Sequence, residues 1–417
     1  MKSDRGAGFS APLLLLFLIN VLNFYDRQVL GAIAEPLRRE FHLSDTQLAA
    51  LTTAFTLLYA LAGLPLGRLA DRWSRKALLA IGVTVWSGLT GLGGLAVSYS
   101  TLMATRLGVG LGEAVCAPAA TSWIGDLIPP ERRARAMAWF MMAIPVGGLL
   151  GFSVGGPVAQ AHGWRMALVL AALPGVLLAP AVLWLREPPR EAPPVAAAAS
   201  PLLLARIPAF WWIAGSGAIV NFMLYSFSLF LPAFLTRYHG LSVGRAGVWS
   251  GVGTGVAGVL GALAAGFLGD CGTGCRARRR LRMAAWMAAA AAPLAWWAIR
   301  TPAGDAALAL APFMLAYGLW QMYYGLVYAA MQDVVPAHLR GTAMAAYYMT
   351  MYLCGASFGP LVTGRLSDYF AHRAVAAGAA AEAARAIGLH RAMYAIPVLS
   401  LLLAGVLLKG SRETAEA

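Results

Sequence analysis

The sequence predicts an all-α membrane protein in which twelve transmembrane helices form two pseudo-symmetric bundles of six. Three observations support this fold class. Hydrophobic residues make up 59% of the chain and charged residues only 12%, whereas soluble proteins carry about 25% charged residues. The apolar residues fall into runs of about 20 residues or more, the length that spans a bilayer as a helix. Two short motifs of the first half of the chain recur in the second half.

Clusters of glycine, proline and arginine end the apolar runs, so the helices can be placed in order along the chain. The first six are predicted at 10–35, 46–69, 77–98, 101–124, 134–160 and 165–186. The other six are predicted at 208–238, 244–268, 282–300, 306–332, 341–367 and 391–409. A stretch rich in proline and alanine separates the two sets. We therefore expect an N-terminal bundle at 1–186, a cytoplasmic linker at 187–207 and a C-terminal bundle at 208–417.

The net charge of +14 comes mainly from lysines and arginines in alternate loops, at 67–76, 129–135 and 274–282. Loops on the side of the N-terminus hold roughly twice as many of these residues as the opposite loops, an asymmetry typical of cytoplasmic loops. Both termini are therefore expected in the cytoplasm. The charge pattern indicates membrane topology, with attraction to anionic lipid as a secondary effect, and not nucleic-acid binding. The short loops favour a multi-pass protein of a bacterial plasma membrane.

The two halves share internal repeats, the first of which joins the fourth and fifth helices of each half. Its copies are DLIPPERRARAMA at 126–138 and DVVPAHLRGTAMA at 333–345. The second repeat lies between the second and third helices and consists of GRLAD at 67–71 and GFLGD at 266–270. Two six-helix halves with parallel repeats are typical of secondary transporters, whose substrate site lies near the membrane midplane between the halves.

The loop GRLADRWSRK at 67–76 resembles the signature loop of the major facilitator superfamily, with Ser74 where glycine is usual. Four stretches of the N-terminal half look like the spinster branch of that superfamily; they are YDRQVLGAIAEPLRREFHLSDTQLA (25–49), RLGVGLGEAVCAPAA (106–120), AIPVGGLLG (143–151) and LREPPR (185–190). The C-terminal half matches only the general superfamily pattern. The resemblance implies the twelve-helix superfamily fold, alternating access and coupling to protons, with the proton gradient as energy source and no cofactor.

Four ionisable residues are predicted within the membrane, Asp26 and Arg27 in the first helix and Arg106 and Glu113 in the fourth. Adjacent residues of a helix point about 100° apart, so Asp26 and Arg27 need not share a partner. A charge at the bilayer centre costs about 2.5 kcal/mol or more unless it is paired or hydrated, so function is the default hypothesis. Asp26 and Glu113 are the candidate proton carriers, with Arg27 and Arg106 as counter-ions, because arginine itself stays protonated. All six histidines fall in predicted loops. A static ion pair that positions the two helices is the structural alternative.

Polar and aromatic side chains recur at helical spacing on several helices and predict a substrate site with one charged and one aromatic wall. Arg27 is a candidate for an anionic substrate group, because its planar guanidinium suits carboxylate or phosphate. Ordinary helix packing is an equally good explanation of the tyrosine stripe on the tenth helix. The predicted substrate-binding residues are Asn23, Arg27, Thr56, Tyr59, Glu113, Asn221, Tyr225, Gln321, Tyr324, Tyr328 and Tyr352.

Charged residues of the cytoplasmic loops predict a gate. Asp71 ends the second helix and can meet a positive helix N-terminus, and the neighbouring cations can pair with acids such as Asp126. In the superfamily that the signature loop resembles, this cluster latches the cytoplasmic side while the cavity opens outward. Cations that only enforce topology are the alternative. The predicted gate residues are Asp71, Arg72, Arg75, Lys76, Asp126, Arg133 and Asp270.

These features favour a proton-coupled transporter of an amphipathic or small organic anion. Animal spinster proteins export lysophospholipids and sphingosine phosphate, so the resemblance favours a lysolipid-like substrate and export. A proton symporter that imports organic acids is the alternative, and a receptor or membrane-embedded enzyme is the alternative of another class. No metal-ligand or nucleophile–base constellation supports an enzyme, and Cys271 and Cys275 alone do not predict a metal site. The expected partners are the substrate, protons and the bilayer, and the chain is expected to be a monomer.

Overall fold

The computed structural model describes residues 11–187, 204, 206–270, 276–336 and 339–414, without the side chains at positions 71, 130, 131, 134 and 270. These residues form seventeen α-helices and one π-helical segment, with no strand among them. The all-α fold class predicted from the apolar runs is therefore confirmed. The predicted linker lies largely outside the described residues, as do Cys271 and Cys275.

Nine helices make up the N-terminal bundle: α1 (Ala11–Ala32), α2 (Ala34–Phe41), α3 (Asp45–Arg72), α4 (Arg75–Gly93), α5 (Tyr99–Glu113), α6 (Cys116–Leu127), α7 (Pro130–Met141), α8 (Ala143–His162) and α9 (Trp164–Trp184). They form six spans, because α1–α2, α5–α6 and α7–α8 each continue one path after a short break. Proline explains these breaks, since its ring clashes with the carbonyl four residues earlier. Pro36, Pro118 and Pro145 each follow a break by three or four residues.

The C-terminal bundle contains α10 (Pro208–Arg237), α11 (Val243–Asp270), α12 (Arg276–Arg300), α13 (Ala306–Val334), α14 (Arg340–Thr350), a π-helical segment (Met351–Ala356), α15 (Phe358–Ala376), α16 (Ala381–Met393) and α17 (Ala395–Glu413). The eleventh span comprises α14, the π-helical segment and α15. The twelfth comprises α16 and α17, and it begins at Ala381, ten residues before its predicted start. The described helices thus account for six spans in this bundle too.

The spans have two ends, which we name by what they carry. The linker face is the side on which α9 ends, α10 begins and α17 ends. The distal face is the opposite side and carries turns such as those at 42–44 and 238–242. The two bundles pack against each other through α1 on α10, α3 on α15 and α8 on α11. Glycine permits these close approaches: a Cβ at Gly364 would lie 2.5 Å from the Asp45 carbonyl oxygen, and one at Gly247 would lie 2.7 Å from that of Phe152.

Contacts between the bundles are concentrated at the distal face and the midplane. Along α3, the Thr53 hydroxyl donates to the Ser357 carbonyl at 2.6 Å, and the Tyr59 ring lies 5.4 Å from that of Tyr352. Two to five residues further towards the linker face, Leu61 and Leu64 are 60% and 58% exposed. At this face α6 and α7 pack mainly against helices of their own bundle. The structure is therefore closed at the distal face and open towards the linker face in the described part of the chain.

Candidate functional site

An ion pair inside the N-terminal bundle is the centre of the candidate site. Arg27 of α1 donates through Nε to Glu113 Oε2 at 2.9 Å, and the two side chains are 5% and 0% exposed. Glu113 is the last residue of α5, directly before the break that Pro118 imposes on the fourth span. The structure thus brings together one candidate counter-ion and one candidate proton carrier, which the sequence analysis had not paired with each other.

A second acid and a second arginine lie next to this pair. Asp26 faces away from Arg27, towards α4, where the Thr90 hydroxyl donates to its Oδ2 at 3.5 Å. Arg106 of α5 is buried and interacts electrostatically with both Asp26 and Glu113. The four charges therefore form one neutral cluster. The sequence-based expectation that Asp26 and Arg27 point to different neighbours matches this arrangement.

Hydrogen bonding in this cluster is incomplete. Buried atoms without a hydrogen-bond partner include Asp26 Oδ1, Glu113 Oε1, both terminal nitrogens of Arg27, and Nε and Nη2 of Arg106. The buried amide group of Asn23 lies beside Glu113 and interacts with its carboxylate. Static buried ion pairs are stable only when their remaining polar atoms are hydrogen-bonded. The incomplete bonding favours a cluster that binds something or rearranges.

Aromatic rings from both bundles surround the Arg27 guanidinium. Its central carbon lies 4.3 Å from the ring centroid of Tyr59, 4.8 Å from that of Phe24 and 5.4 Å from that of Phe55. Tyr352 of the C-terminal bundle lies 5.4 Å from Tyr59, ring to ring. We call these four rings the Arg27 cage. Among the described side chains, neither terminal nitrogen of Arg27 bonds a carboxylate, and the Tyr59 side chain interacts with the guanidinium from within the cage. A planar guanidinium of this kind can take a carboxylate or phosphate group.

The π-helical segment places Tyr352 in the cage. Its backbone nitrogens bond five residues back, as the Ser357 N–H does to the Tyr352 carbonyl at 3.0 Å. Pro360 follows, so the Ala356 carbonyl cannot accept the usual helical hydrogen bond. Short π-helical segments occur frequently at functional sites. The sequence analysis did not identify this segment, although Pro360 marks its end.

The other predicted substrate residues divide into two groups. Tyr225 lies 6.3 Å from Tyr352, ring to ring, and Tyr324 donates to Asn221 at 3.3 Å while its ring contacts that of Tyr328. These four residues extend the cage into the C-terminal bundle. Thr56 and Gln321 do not join them.

Thr56 and Gln321 have other partners. The Thr56 hydroxyl donates to the Thr52 carbonyl of its own helix at 2.8 Å. Gln321 donates to the Tyr317 hydroxyl at 2.8 Å. Both Tyr317 and Gln321 line a cavity of about 40 Å³ between the bundles, together with Gln28, Ser228 and Thr254. The tyrosine stripe of the tenth span therefore lines a cavity at the level of Tyr317, and it packs against neighbouring rings as well.

At the linker face, the predicted gate residues cluster within their own bundle. Arg75 is buried and pairs with Asp126 and, at 3.0 Å, with Glu187. Ser74, the departure from the signature loop, caps the N-terminus of α4 and donates to Glu187 at 2.7 Å. Partial burial raises the pKa of Glu187, but hydrogen bonds from Arg75 and Ser74 outweigh this effect and lower it. The sequence analysis did not assign a role to Glu187.

The internal repeat produces a matching cluster in the C-terminal bundle. Arg280 pairs with Asp333 at 2.7 Å, as Arg75 pairs with Asp126. The repeated arginines, Arg133 and Arg340, each donate to the carbonyl five residues earlier, at 3.4 Å and 3.3 Å. The repeat therefore specifies the same loop geometry twice.

The remaining predicted gate residues add little to this cluster. Arg72 is exposed, and Lys76 donates to the Leu183 carbonyl at 3.4 Å. The side chains of Asp71 and Asp270 lie outside the described part of the chain. The acids that pair with Arg75 and the carbonyl that Lys76 bonds belong to the N-terminal bundle and the adjoining start of the linker. With the molecule open towards the linker face, a latch between bundles at this face stays a prediction.

The distal face carries a charged network that the sequence analysis missed. Arg237, the last residue of α10, bonds Glu35 at 2.7 Å and Asp45 at 2.8 Å. Asp368 of α15 accepts from the backbone N–H groups of Asp45 and Thr46, both at 2.9 Å. These residues lie about 200 to 320 positions apart, and each was assigned to a loop or helix end, so no sequence spacing could pair them.

The described histidines lie near the ends of helices and in turns, away from the candidate site. His162, His372 and His390 lie in helices, so the prediction that all six histidines occupy loops is wrong, because two of the distal turns, at 163 and at 377–380, are shorter than expected. His338 lies outside the described residues. Within the described residues, no group of three His, Cys, Asp or Glu side chains could hold a metal ion.

Comparison with known proteins supports the superfamily resemblance. The family model described as Major Facilitator Superfamily matches residues 16–360. An MFS-type efflux pump of Mycolicibacterium smegmatis is 34% identical over 85% of this chain and 83% of its own length. A hexuronate transporter of Bacillus subtilis is 26% identical over 85% of this chain and 87% of its own length.

A solved structure resembles the whole chain. It is a bacterial homologue of the human lysosomal transporter spinster, in an inward-facing and unoccupied conformation, with a TM-score of 0.86, 27% sequence identity and coverage of 99% of both chains. The predicted likeness to spinster proteins is therefore confirmed. The chain belongs to the Major Facilitator Superfamily and is a membrane transporter, not an enzyme.

Proposed function

We propose that the protein is a proton-coupled secondary transporter of an organic anion, and that Arg27 links binding of the anion to protonation of Glu113. The observation that carries this proposal is the buried Arg27–Glu113 pair with unpartnered nitrogens on the arginine. The Arg27 guanidinium can thus bind either of two anions, the Glu113 carboxylate or an anionic group of the substrate.

The coupling follows from competition for Arg27. An anion that binds the terminal nitrogens of Arg27 draws the guanidinium away from Glu113. A buried carboxylate without its counter-ion is costly, and binding a proton removes the charge. Asp26 and Arg106 lie beside the Arg27–Glu113 pair and interact with it electrostatically, so the cluster can pass through states of different protonation without a large net charge. A static structural pair would not require the free nitrogens.

The surroundings of Arg27 indicate what kind of anion fits. Aromatic faces of the Arg27 cage offer apolar contact, and the hydroxyl groups of Tyr59, Tyr225 and Tyr352 offer hydrogen bonds. The exposed leucines of α3 continue an apolar surface towards the open side. This combination suits a substrate with one anionic and one apolar part, the class that includes lysolipids and sphingoid phosphates.

The direction of coupling has two candidates. Because the anion and Glu113 share Arg27, the anion and a proton bind together, which favours co-transport and agrees with the likeness to a hexuronate transporter. Export in exchange for protons is the second candidate, supported by the likeness to an efflux pump and to a spinster homologue.

Orientation follows from charge. The loops of the linker face carry most of the lysines and arginines, which supports a cytoplasmic position for that face in the plasma membrane. The bundles are closed at the distal face, so the proposed site then opens to the cytoplasm. Alternating access requires a second state, open at the distal face.

Proton flux in proteoliposomes tests the proposal. Reconstituted protein with an internal pH dye should respond to at least one of three probes: lysophosphatidic acid, sphingosine phosphate or glucuronate. Glu113→Gln should abolish proton-linked accumulation while unlabelled-for-labelled exchange of the probe continues. The matched control is Glu40→Gln, which removes a carboxylate of the distal surface that pairs with Arg165. Accumulation by Glu113→Gln equal to that of the control would contradict the assignment.

A further inference from the structure

We propose that Arg237 is the central residue of a second gate, at the distal face, that holds the two bundles closed in the state seen here. The inference rests on the proposed alternating access and adds a gate on the side where the sequence predicted none. Arg237, Glu35, Asp45 and Asp368 form what we call the distal gate.

The ion pairs of Arg237 connect the two bundles directly. Arg237 ends α10 in the C-terminal bundle, whereas Glu35 lies in the first turn of α2 and Asp45 begins α3 in the N-terminal bundle. The side chains of all three are at most 5% exposed. Removing one partner of a buried ion pair is strongly destabilising, because the other charge stays buried without compensation. Loss of Arg237 would leave Asp45 buried without a cation in the closed state. Glu35 would keep only the arginines of its own helix, Arg38 and Arg39.

Asp368 provides an independent connection. The first N–H groups of a helix have no partner inside the helix and favour a negative charge. Ser44 satisfies the N–H of Gln47 within its own bundle. Asp368, which belongs to the other bundle, accepts from the N–H groups of Asp45 and Thr46 and from the Thr46 hydroxyl at 2.6 Å. The start of α3 is therefore capped across the interface between the bundles.

A third connection is weaker. Arg38 pairs with Glu35 in its own bundle and with Glu382 of α16 at 3.0 Å. Glu382 is 71% exposed, and an exposed ion pair contributes little. The contacts therefore rank with Arg237 first, Asp368 second and Glu382 last.

The composition of the gate makes it reversible. Its charged and hydrogen-bonding groups can all be hydrated if the bundles separate, and hydration then compensates for the lost ion pairs. An apolar seal would have no such substitute. The linker-face pair of Arg75 and Asp126 lies within one bundle, so separation of the bundles does not break it.

Pulsed electron–electron spin resonance can test the distal gate. Spin labels at Val97 and Ala303, which are exposed on distal turns of different bundles, would be placed on full-length protein whose four native cysteines are replaced by serine. Arg237→Met should add a population with a longer distance that is minor in the parent. The control is Arg165→Met, because Arg165 pairs with Glu40 on the same face but within one bundle, and it should leave the distances unchanged.

A second variant covers the case in which Arg237→Met does not fold. Asp368→Asn keeps the shape of the side chain and removes its charge, and it should produce the same longer population to a smaller extent. Monodisperse elution in gel filtration identifies folded variants. The proposal would be overturned if folded Arg237→Met showed only the distances of the parent protein. If Arg237→Met is unfolded, the same result for Asp368→Asn would overturn it.

The distance measurement needs neither substrate nor a proton gradient, so it separates the gate from the proposed function. An Arg237-dependent opening in a protein without proton flux would support the gate and contradict the proton coupling. Lost transport in Arg237→Met with unchanged distances would contradict the gate and leave the coupling through Glu113 standing.

Discussion

The ion pairs at the two faces of the molecule differ in what they connect. At the linker face, Arg75 and Arg280 each pair with an acid of their own bundle. At the distal face, Arg237 joins acids of the opposite bundle. A movement of the bundles as rigid bodies preserves the first kind of pair and must break the second. The pairs of Arg75 and Arg280 therefore stabilise each bundle in every state, whereas the pairs of Arg237 favour one state.

The largest effect should come from Arg75→Met, which breaks the linker-face side of this comparison. It leaves Asp126 and Glu187 without their shared cation, a loss of about 3 kcal/mol for a buried pair. Thermal unfolding in detergent should show a clearly lower Tm. The control Lys76→Met removes only one long hydrogen bond and should change stability by about 0.5 kcal/mol or less. Opening of the distal face by Arg75→Met would contradict the distinction between the two faces.

A smaller effect is expected from Ser74→Gly, which restores the usual residue of the signature loop. It removes the cap of α4 and the hydrogen bond to Glu187, together about 1 kcal/mol. Ser98→Gly is the matched control, because Ser98 caps α5 without a carboxylate partner and its loss should cost only a few tenths of a kcal/mol. Equal changes in Tm for the two variants would show that the Glu187 bond contributes nothing.

The smallest effect is expected from pH. Burial raises the pKa of Glu35, but Arg38 and Arg237 outweigh this effect and lower it from 4.5 to about 2. Because the folded-state pKa is depressed, the contribution of these ion pairs is complete above pH 4.5 and is lost as the pH falls through 2. Distances between labels at Val97 and Ala303 should therefore be the same at pH 8 and pH 5. Opening between these values would mean that a group other than Glu35 controls the gate.

The comparison also explains how much of the molecule the sequence could predict. Apolar runs, the repeat and the signature loop report local structure, and they predicted the twelve spans and the pairing of Arg75 with Asp126. Spacing along one helix likewise predicted that Asp26 and Arg27 face different neighbours. The cost of a buried charge then identified Arg106 and Glu113 as part of the same candidate site.

The features that the sequence did not predict depend on contacts between segments that are distant along the chain. The distal gate joins Asp45 to Arg237 and Asp368, which no local pattern relates. Tyr352 enters the Arg27 cage because of a π-helical segment, and the helical spacing used for the sequence analysis does not anticipate one. Thr56 shares the face of Tyr59, yet its hydroxyl donates to the Thr52 carbonyl of its own helix. Helical spacing does not predict whether a hydroxyl bonds its own backbone or a substrate.

The most direct test of the central claim is the proton balance of anion binding. Calorimetric titration of the purified protein in two buffers of different ionisation enthalpy would use sphingosine phosphate or glucuronate, whichever produced flux. Competition for Arg27 predicts that wild-type protein takes up protons as the anion binds, and that Glu113→Gln binds the same anion without this uptake. Equal proton uptake by the two proteins, or none by wild type, would contradict the claim that Arg27 links the anion to Glu113.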